Sequence, residues 1–202
     1  MRYLFGLTLF LLVGTTCNAN ILRILDINNN PLRDAIITFP SHIKAKPKTH
    51  KITQKKYMFL PSSSIINIGD TVVFPNKDNV MHHIYSFSET GFFEIYANKG
   101  DDKQSYTFNK SGIAILGCNI HDSMTGYIHI LHNESSKKTN RKGEVKFNDG
   151  IPKKLQLWHP NIAGNKSTRV DLAIEKIKRK RWIAKTNIAN LPQVKAKKSG
   201  RY

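Results

Sequence analysis

Three residues with metal-binding side chains lie within seven positions of the sequence, in the segment LGCNIHDSMTGYIHIL at residues 116–131. Cys118, His121 and Met124 follow one another at intervals of three. A thiolate is a soft, charged ligand, an imidazole is intermediate, and a thioether is soft and weak. Such a set suits a copper ion that cycles between two oxidation states, with two histidines and a cysteine in a plane and methionine as a long axial ligand. The local segment therefore lacks one histidine.

The missing histidine has to come from another part of the chain, because a short loop cannot close around a metal ion alone. The segment NKDNVMHHIYSF, residues 76–87, offers His82 and His83 at the mouth of a predicted strand, and the residues alone leave both open. Asn76 and Asp78, just before them, are candidates for hydrogen bonds that orient a ligand. A structural turn is the other use for these two side chains.

Other uses compete for the same residues. Zinc accepts cysteine and histidine, but a thioether is a poor zinc ligand, and one cysteine with two histidines is an unusual structural zinc site. A catalytic pair of Cys118 and His121 is disfavoured by the short interval on a tight loop and by the lack of an evident orienting group. We do not expect an enzyme, because an axial Met124 would close the site. Two more histidines, His129 and His132, fall on the predicted polar face of the last strand and are expected to be solvated.

The N-terminus has the pattern of an export signal, which bears on the state of Cys118. Arg2 supplies a positive charge, an apolar run of about a dozen residues follows, and the triplet CNA ends a plausible cleavage site. The run is shorter than the ~20 residues that a spanning helix needs. A lipoprotein signal at Cys17 fits the preceding threonines less well. We therefore expect a signal peptide at 1–19 and a periplasmic protein that keeps Cys118 unpaired, although cysteines in oxidising compartments normally pair.

The elements that must hold the candidate ligands are predicted to be β-strands. Residues 21–39 are typical of strand, turn and strand, and the polar, basic residues 40–56 favour a surface loop. From residue 65 to residue 131, turn signals separate short strand-like segments about every eight to twelve residues, and no segment keeps a helical period. The pattern predicts an all-β sandwich or barrel, with Cys118 in the loop between its last two strands.

The last third of the chain has a different composition from the first two thirds. Residues 133–144 favour a polar linker, and the following segment EVKFNDGIPKKLQLWHP favours two short strands around an Asp-Gly turn. Trp158 is expected to anchor the core of this small module. We therefore expect one domain at 20–132, a small β-rich extension at 133–193 and a disordered basic tail at 194–202.

The net charge of +18 is concentrated in that last third. Residues 133–202 carry 19 Lys or Arg against five Asp or Glu, whereas residues 20–132 carry 12 against nine. The run KIKRKR at 176–181 is a pattern found in nucleic-acid-binding proteins, but no nucleic-acid partner is expected for an exported protein. Attraction to an anionic membrane surface, or to an acidic redox partner, fits better. A lysine-rich genome composition would also explain the excess.

Residues 68–131 resemble the cupredoxin, or blue copper, family in its plastocyanin and amicyanin branch. IGDTVVFPN is similar to the family's strand GD-x-V-x-(W/F)-x-N, and MHHI to its first-ligand segment P-H-N-V. GCNIHDSM has the Cys-x2-His-x2-Met spacing of the amicyanin loop. The longer stretch 21–131 resembles exported plastocyanin-like proteins that are labelled methylamine utilization proteins, in which a segment like LQLWHP follows the copper domain.

The resemblance implies a cupredoxin-like Greek-key β-sandwich and one type 1 copper ion held by His82, Cys118, His121 and Met124. It places His83 where the family usually has an asparagine that braces the ligand loop. It further implies a monomeric carrier of single electrons that meets a redox partner near His121. Two other functions stay open: a periplasmic copper carrier or buffer without redox turnover, and a surface-interaction protein with a vestigial copper site.

Overall fold

The computed structural model describes residues 19–42 and 45–189, and all the regular secondary structure in these ranges is β-strand. The strands are β1 (Asn20–Leu25), β2 (Ile36–Pro40), β3 (Thr49–Lys51), β4 (Thr53–Gln54), β5 (Phe59–Leu60), β6 (Ser63–Asn67), β7 (Thr71–Val73), β8 (His82–Ser88), β9 (Gly91–Ala97), β10 (Ser105–Thr107), β11 (Gly112–Cys118), β12 (Thr125–Leu131), β13 (Glu134–Lys138), β14 (Glu144–Phe147), β15 (Gln156–Trp158), β16 (Val170–Asp171), β17 (Glu175–Lys178) and β18 (Arg181–Lys185). The predicted all-β class is confirmed.

The described part of the chain contains no helix with the length and apolar character needed to cross a membrane. Two predictions fall elsewhere. The export signal, apart from Ala19, and the basic tail at 194–202 lie outside the described residues.

Residues 49–131 form a sandwich of two main sheets, here called the inserted sandwich. The larger sheet has the order β6-β12-β11-β8-β9 and the smaller one the order β10-β7-β3. The chain changes sheet between β6 and β7, β7 and β8, β9 and β10, and β10 and β11, as in a Greek-key sandwich. Along β9, buried and exposed residues alternate throughout, because one face of the strand lies on the core and the other faces solvent. The predicted Greek-key β-sandwich is confirmed.

A second sandwich, here called the split sandwich, is built from residues 20–40 and 133–189. One of its sheets has the order β14-β1-β18-β17 and the other the order β13-β2-β15-β16. β1 pairs with β14 in antiparallel and with β18 in parallel orientation. The core contains apolar residues from both parts of the chain, among them Leu22, Ile24, Ile37, Val145, Phe147, Leu157 and Ala184.

This pairing corrects the domain division expected from the sequence. The expectation joins residues 20–40 to the candidate metal domain and ends that domain at residue 132. In the structure, β1 and β2 share both their sheets and their core with strands that follow residue 133. Apolar alternation indicates which residues of a strand are buried, but it does not indicate which strand is the neighbour.

Two segments expected to be irregular contain strands. The expected loop at 40–56 includes β3 and β4, and the expected linker at 133–144 includes β13. β3 and β13 are both edge strands of their sheets and consist of polar residues, THK and ESSKK. Polar edge strands are common because they discourage pairing with other chains, and they lack the apolar signal on which the sequence interpretation depends.

The split sandwich covers part of the outer face of the larger sheet. Trp158, expected to anchor the core of a C-terminal module, is fully buried at this contact instead. Its ring meets the rings of Tyr127 and His129 with centroid distances of 4.7 and 4.5 Å. The surrounding apolar cluster consists of Ile36, Ile65, Ile113, Tyr127 and Trp158. The two sandwiches therefore share an apolar contact in addition to their chain connections.

His129 lies in this contact, which corrects its expected exposure. The side chain is fully buried under Trp158, and among the described residues neither ring nitrogen has a hydrogen-bond partner. Burial, together with the charges of Arg169 and Lys138, lowers the pKa of His129 to about 3. The imidazole is therefore neutral at physiological pH. His132, three residues further on, is exposed as predicted.

Candidate metal centre

Three of the predicted ligands lie at one end of the inserted sandwich. His82 is the first residue of β8, Cys118 is the last residue of β11, and His121 lies in the connection from β11 to β12. β8 and β11 are antiparallel neighbours in which Cys118 lies opposite Ile84. Antiparallel pairing places the start of one strand beside the end of the other, which brings residues 36 positions apart into contact.

One ligand atom from each of His82, Cys118 and His121 lies within 4.8 Å of the other two. The Sγ atom of Cys118 is 3.7 Å from Nδ1 of His82 and 3.7 Å from Nδ1 of His121. Cys118 is buried and has no disulfide partner among the described residues. A thiol and two imidazole nitrogens that converge on one point are the donor set of a soft or intermediate metal, and they fit copper.

His83, the alternative to His82, lies outside this cluster. Its ring stacks on Tyr96 with a centroid distance of 4.1 Å, and its Nε2 atom is 3.5 Å from a carboxylate oxygen of Glu94. Its backbone carbonyl accepts a hydrogen bond from the backbone amide of Asn119, next to Cys118. Successive residues of a strand point to opposite faces, so only one histidine of the pair can face the cluster.

Met124, the predicted axial ligand, is buried in the same core cluster as Cys118. Its backbone amide donates a 2.9 Å hydrogen bond to the carbonyl of His121, which closes a tight turn between them. The loop therefore returns to the core immediately after the second histidine. The assignment of Met124 as a ligand stays a prediction.

Asp78 orients the imidazole of His82. The Nε2 atom of His82 donates a hydrogen bond to Oδ2 of Asp78 at 3.0 Å. A proton on Nε2 leaves the lone pair on Nδ1, the atom that faces Cys118. Sequence reasoning treated Asp78 as one of two candidates for this role, and its position four residues before His82 is the signal that supports it.

The same carboxylate also holds a turn from another part of the chain. It accepts hydrogen bonds from the backbone amides of Lys56 at 2.6 Å and Tyr57 at 3.1 Å. Burial raises the pKa of Asp78, but these bonds and the one from His82 outweigh burial, and the pKa is lowered overall. The carboxylate therefore stays ionised and accepts three hydrogen bonds at neutral pH.

Asn76 holds the segment before the first histidine in place. Its side-chain amide donates to the carbonyls of Val80 at 2.7 Å and Ala97 at 2.8 Å, and its side-chain oxygen accepts from the backbone amide of Asp78 at 2.9 Å. The residue is fully buried. Both uses considered for Asn76 and Asp78 are therefore present: Asn76 builds the turn, and Asp78 orients the ligand.

Tyr57 is a residue of this site that sequence reasoning missed. Its ring meets His121 at a centroid distance of 4.8 Å and His82 at 6.3 Å, edge to face in both cases. Lys56 and Tyr57 have φ angles of +56° and +57°, in the left-handed region that costs most residues about 1–2 kcal/mol. Such turns are usually marked by Asn-Gly or Asp-Gly, and the sequence KKYM carries no such mark.

His121 is half-buried and is the most accessible member of the cluster, since His82 and Cys118 are buried. Burial lowers the pKa of His121, and the nearby His82 lowers it further, against an opposing contribution from Asp78. A lowered pKa keeps the imidazole neutral at physiological pH. The neutral ring is the form that binds a metal.

Exposed apolar side chains flank the cluster residues along the chain. Val80 and Met81 precede His82, Ile120 precedes His121, and Met58 follows Tyr57. All of these side chains are at least one-third exposed. Exposed apolar residues that gather around one site often mark a contact surface for another molecule.

None of the protein-family models searched and none of the curated proteins searched matches the chain. Solved structures similar to it include a purple cupredoxin from Nitrosopumilus maritimus, with 23% identity over 41% of this chain and 99% of that chain and a TM-score of 0.37. Another is amicyanin from Paracoccus versutus, with 22% identity over 45% of this chain and 86% of that chain and a TM-score of 0.36.

A copper-containing nitrite reductase from Thermus scotoductus is also similar, with 21% identity over 54% of this chain and 28% of that chain and a TM-score of 0.38. The first two structures carry the names of the family and the branch that the sequence resembles. The narrower label of methylamine utilization protein stays a prediction.

Proposed function

We propose that this protein carries single electrons between redox partners in the periplasm, using one type 1 copper ion bound by His82, Cys118, His121 and Met124. The observation that carries the proposal is the convergence of two imidazole Nδ1 atoms on a buried thiol at 3.7 Å. Copper, when bound, supplies the one-electron chemistry. As a carrier, the protein would act as a monomer and would not turn over a substrate.

The surrounding residues support that role because they hold the donor set in place before a metal binds. The antiparallel strands β8 and β11 position His82 and Cys118, and Asp78 directs the lone pair of His82 towards the thiol. Burial of Cys118 keeps water from the sulfur. A rigid site of this kind changes little on electron transfer, and its apolar surroundings and hydrogen bonds influence the redox potential.

The surface suggests how a partner would approach. The half-buried His121 and the exposed apolar residues beside the cluster would form a small contact for a transient redox partner. The excess positive charge of residues 133–202 would attract an acidic partner or an anionic membrane surface over a longer range. No role in nucleic-acid binding is proposed.

The test is the visible and electron paramagnetic resonance spectrum of the protein after Cu(II) is added. We expect an intense thiolate-to-copper band, complete loss of the band in Cys118→Ser, and loss or a strong shift in His82→Ala. His83→Ala is the matched control, because His83 neighbours His82 but faces away from the cluster. It should keep the band. A colourless copper complex of the wild-type protein would contradict the proposal.

A copper carrier or buffer without redox turnover is the second candidate function. Met58 follows Tyr57 and Met81 precedes His82 in the chain, and the two residues are 36% and 42% exposed. Thioethers are soft ligands that select Cu(I). The two functions differ in electrochemistry. An electron carrier shows a reversible one-electron wave and keeps its copper. A copper carrier releases Cu(I) to a competing acceptor, and in that case Met58→Ala and Met81→Ala should slow the transfer.

A further inference from the structure

The turn that connects β4 and β5 has an unusual sequence for its conformation. The backbone amide of Lys55 donates to the carbonyl of Met58 at 3.0 Å, and the amide of Met58 donates back to the carbonyl of Lys55 at 3.2 Å. Lys56 and Tyr57 between them both have positive φ angles. A two-residue hairpin turn of this kind favours Asn-Gly, because both positions are left-handed. A long basic and a bulky aromatic side chain occupy these positions instead.

The turn is held in this conformation by Asp78, the residue that also orients the candidate ligand His82. Asp78 accepts hydrogen bonds from the backbone amides of both strained residues and from Nε2 of His82. Strained backbone persists only where the surrounding structure determines it, and it is concentrated at functional sites. The turn and the first histidine therefore share one anchor, so that the position of the turn depends on the position of the histidine.

The strained turn positions the aromatic ring of Tyr57. The ring lies against His121, the most accessible residue of the cluster, and also meets His82. Tyr57 is 41% exposed, so part of the residue faces solvent while its ring contacts the cluster. Met124 is buried in the same core cluster as Cys118. The Tyr57 ring therefore contacts both histidines of the cluster and also reaches solvent.

We propose that Tyr57 determines what can reach the metal: its ring keeps water and small external ligands off an ion bound by His82, Cys118 and His121. The inference rests on the proposed metal site. A metal site with an open position exchanges ligands, and such positions characterise catalytic sites. By covering the cluster, Tyr57 restricts the site to outer-sphere exchange of electrons and slows loss of the metal.

The experiment compares three variants of the full protein loaded with Cu(II). Tyr57→Gly removes the ring but suits the positive φ angle, so the turn is retained. Tyr57→Phe keeps the ring, and Lys56→Gly relaxes the other strained position without touching it. Two quantities are measured: the rate at which a chelator removes copper, and the change in the copper spectrum on titration with azide.

We expect copper extraction from Tyr57→Gly to be faster by about tenfold, a size typical for loss of a group that supports metal ligands. Azide should change its spectrum at concentrations that leave the wild-type spectrum unaltered. Tyr57→Phe and Lys56→Gly should behave as the wild-type protein does. Wild-type behaviour of Tyr57→Gly in both measurements would overturn the proposal, and so would equal opening in either of the other two variants.

Failure of this inference is distinguishable from failure of the proposed function. The wild-type protein either shows the thiolate-to-copper band or does not, whatever residue 57 is. If it does not, the same three variants are loaded with Co(II), whose visible bands report the number of ligands and whose extraction by a chelator is measured in the same way. Easier azide binding and faster extraction in Tyr57→Gly alone would support the role of the ring, and unchanged behaviour would overturn it.

Discussion

The two sandwiches of this chain distribute charged and apolar residues in opposite ways. The inserted sandwich, residues 49–131, has seven Lys or Arg and seven Asp or Glu, whereas the split sandwich has 17 against seven. Nine of the 12 large apolar side chains that are exposed in the described residues belong to the inserted sandwich. A neutral, apolar surface favours short-range contact, and a basic one favours long-range attraction. The exposed large apolar side chains and the excess positive charge therefore lie on different sandwiches.

The two sandwiches also differ in the side chains that they bury. The inserted sandwich buries several hydrogen-bonded polar side chains, including Asp70, Asn76 and His82, and its core includes Cys118 and Met124. The core of the split sandwich is an apolar cluster, and its buried polar side chains, Asp26, Thr38, Thr139 and His159, do not group into a set of metal ligands. Within the described residues, the His-Cys-His group of the inserted sandwich is the one cluster that could hold a metal. The candidate metal site thus belongs to the inserted sandwich alone.

The largest expected effect tests whether the two sandwiches depend on each other for stability. Trp158 is a fully buried residue of the split sandwich that contacts Tyr127 and His129 of the inserted one. We expect Trp158→Ala to lower the free energy of unfolding by about 3–5 kcal/mol, as is typical for loss of a buried aromatic ring. Urea unfolding followed by circular dichroism measures the change.

Trp182→Ala is the matched control, because Trp182 is only partly buried and packs on the core of the split sandwich alone. We expect it to cost less than Trp158→Ala. If both variants lower the free energy of unfolding equally, the contact between the sandwiches adds no stability. The two sandwiches would then behave as independent units.

The second prediction tests whether the candidate metal site can be weakened without destabilising the rest of the inserted sandwich. Asp70 and Asp78 are built alike: each accepts hydrogen bonds from two backbone amides and from one imidazole, His50 at 2.8 Å and His82 at 3.0 Å. An asparagine supplies one accepting oxygen in place of two. We expect Asp78→Asn to weaken metal binding about 10–100-fold, the usual result when a partner of a ligand is lost. Competition with a chelator measures the affinity.

Asp70→Asn should lower the free energy of unfolding without changing metal affinity, because His50 is not part of the cluster. Both carboxyl groups have a lowered pKa in spite of burial. Equal losses of metal affinity in the two variants would show that the effect comes from general destabilisation. It would also remove the distinction between the site and its scaffold.

The candidate ligands within one loop could be identified from the sequence, but the residues that surround them could only partly be predicted. Cys118, His121 and Met124 are local, and their spacing implies one site. His82 depends on strand pairing, and the alternation of β8 then decides between His82 and His83. Tyr57 could not be found, because its turn lacks the usual residues and its contact with His121 spans 64 positions.

The same limit applies to the fold. The short strand-like segments, the turn signals between them and the lack of a helical period were sufficient to predict an all-β sandwich. The pairing of β1 with β18 was not predictable, because the paired residues are about 160 positions apart and both strands have ordinary apolar patterns. The buried state of His129 depends on Trp158 from the other sandwich, and a contact between two sandwiches leaves no periodic signal in either segment.

A smaller effect concerns pH and the contact between the sandwiches. The pKa of His129 in the folded protein is about 3, below the value of about 6.5 in an unfolded chain. The folded state therefore binds fewer protons than the unfolded state between these pH values. The free energy of unfolding therefore keeps its full value above pH 6.5 and falls as the pH decreases towards 3. The decrease due to His129 is at most about 1.4 kcal/mol per pH unit.

Urea unfolding at pH 7 and at pH 4.5 measures this loss. His129→Leu should flatten the dependence, since it removes a buried imidazole whose nitrogens have no hydrogen-bond partner among the described residues. His132→Leu, on the exposed side of the same segment, should leave it as in the wild-type protein. An unchanged slope in His129→Leu would show that other groups, such as the buried His159, cause the acid sensitivity.

The smallest effect per residue is expected for membrane binding. It tests whether the basic hairpin of the split sandwich attracts anionic surfaces. Lys178 and Arg179 are exposed next to Ile177, which is also exposed, in the hairpin of β17 and β18. We expect the double variant Lys178→Gln/Arg179→Gln to bind vesicles rich in anionic lipid less tightly, by about 1 kcal/mol for each charge removed. Vesicle sedimentation at low and physiological salt measures the change, and the copper spectrum should not alter.

Lys99→Gln/Lys103→Gln removes the same charge from exposed positions of the neutral inserted sandwich. If the basic hairpin is the contact surface, this variant should bind vesicles nearly as the wild-type protein does, because charges further from the lipid than a Debye length are screened. Equal weakening would mean that only the total charge of +18 matters. The two sandwiches would then differ in their chemistry but not in how they are attracted to a surface.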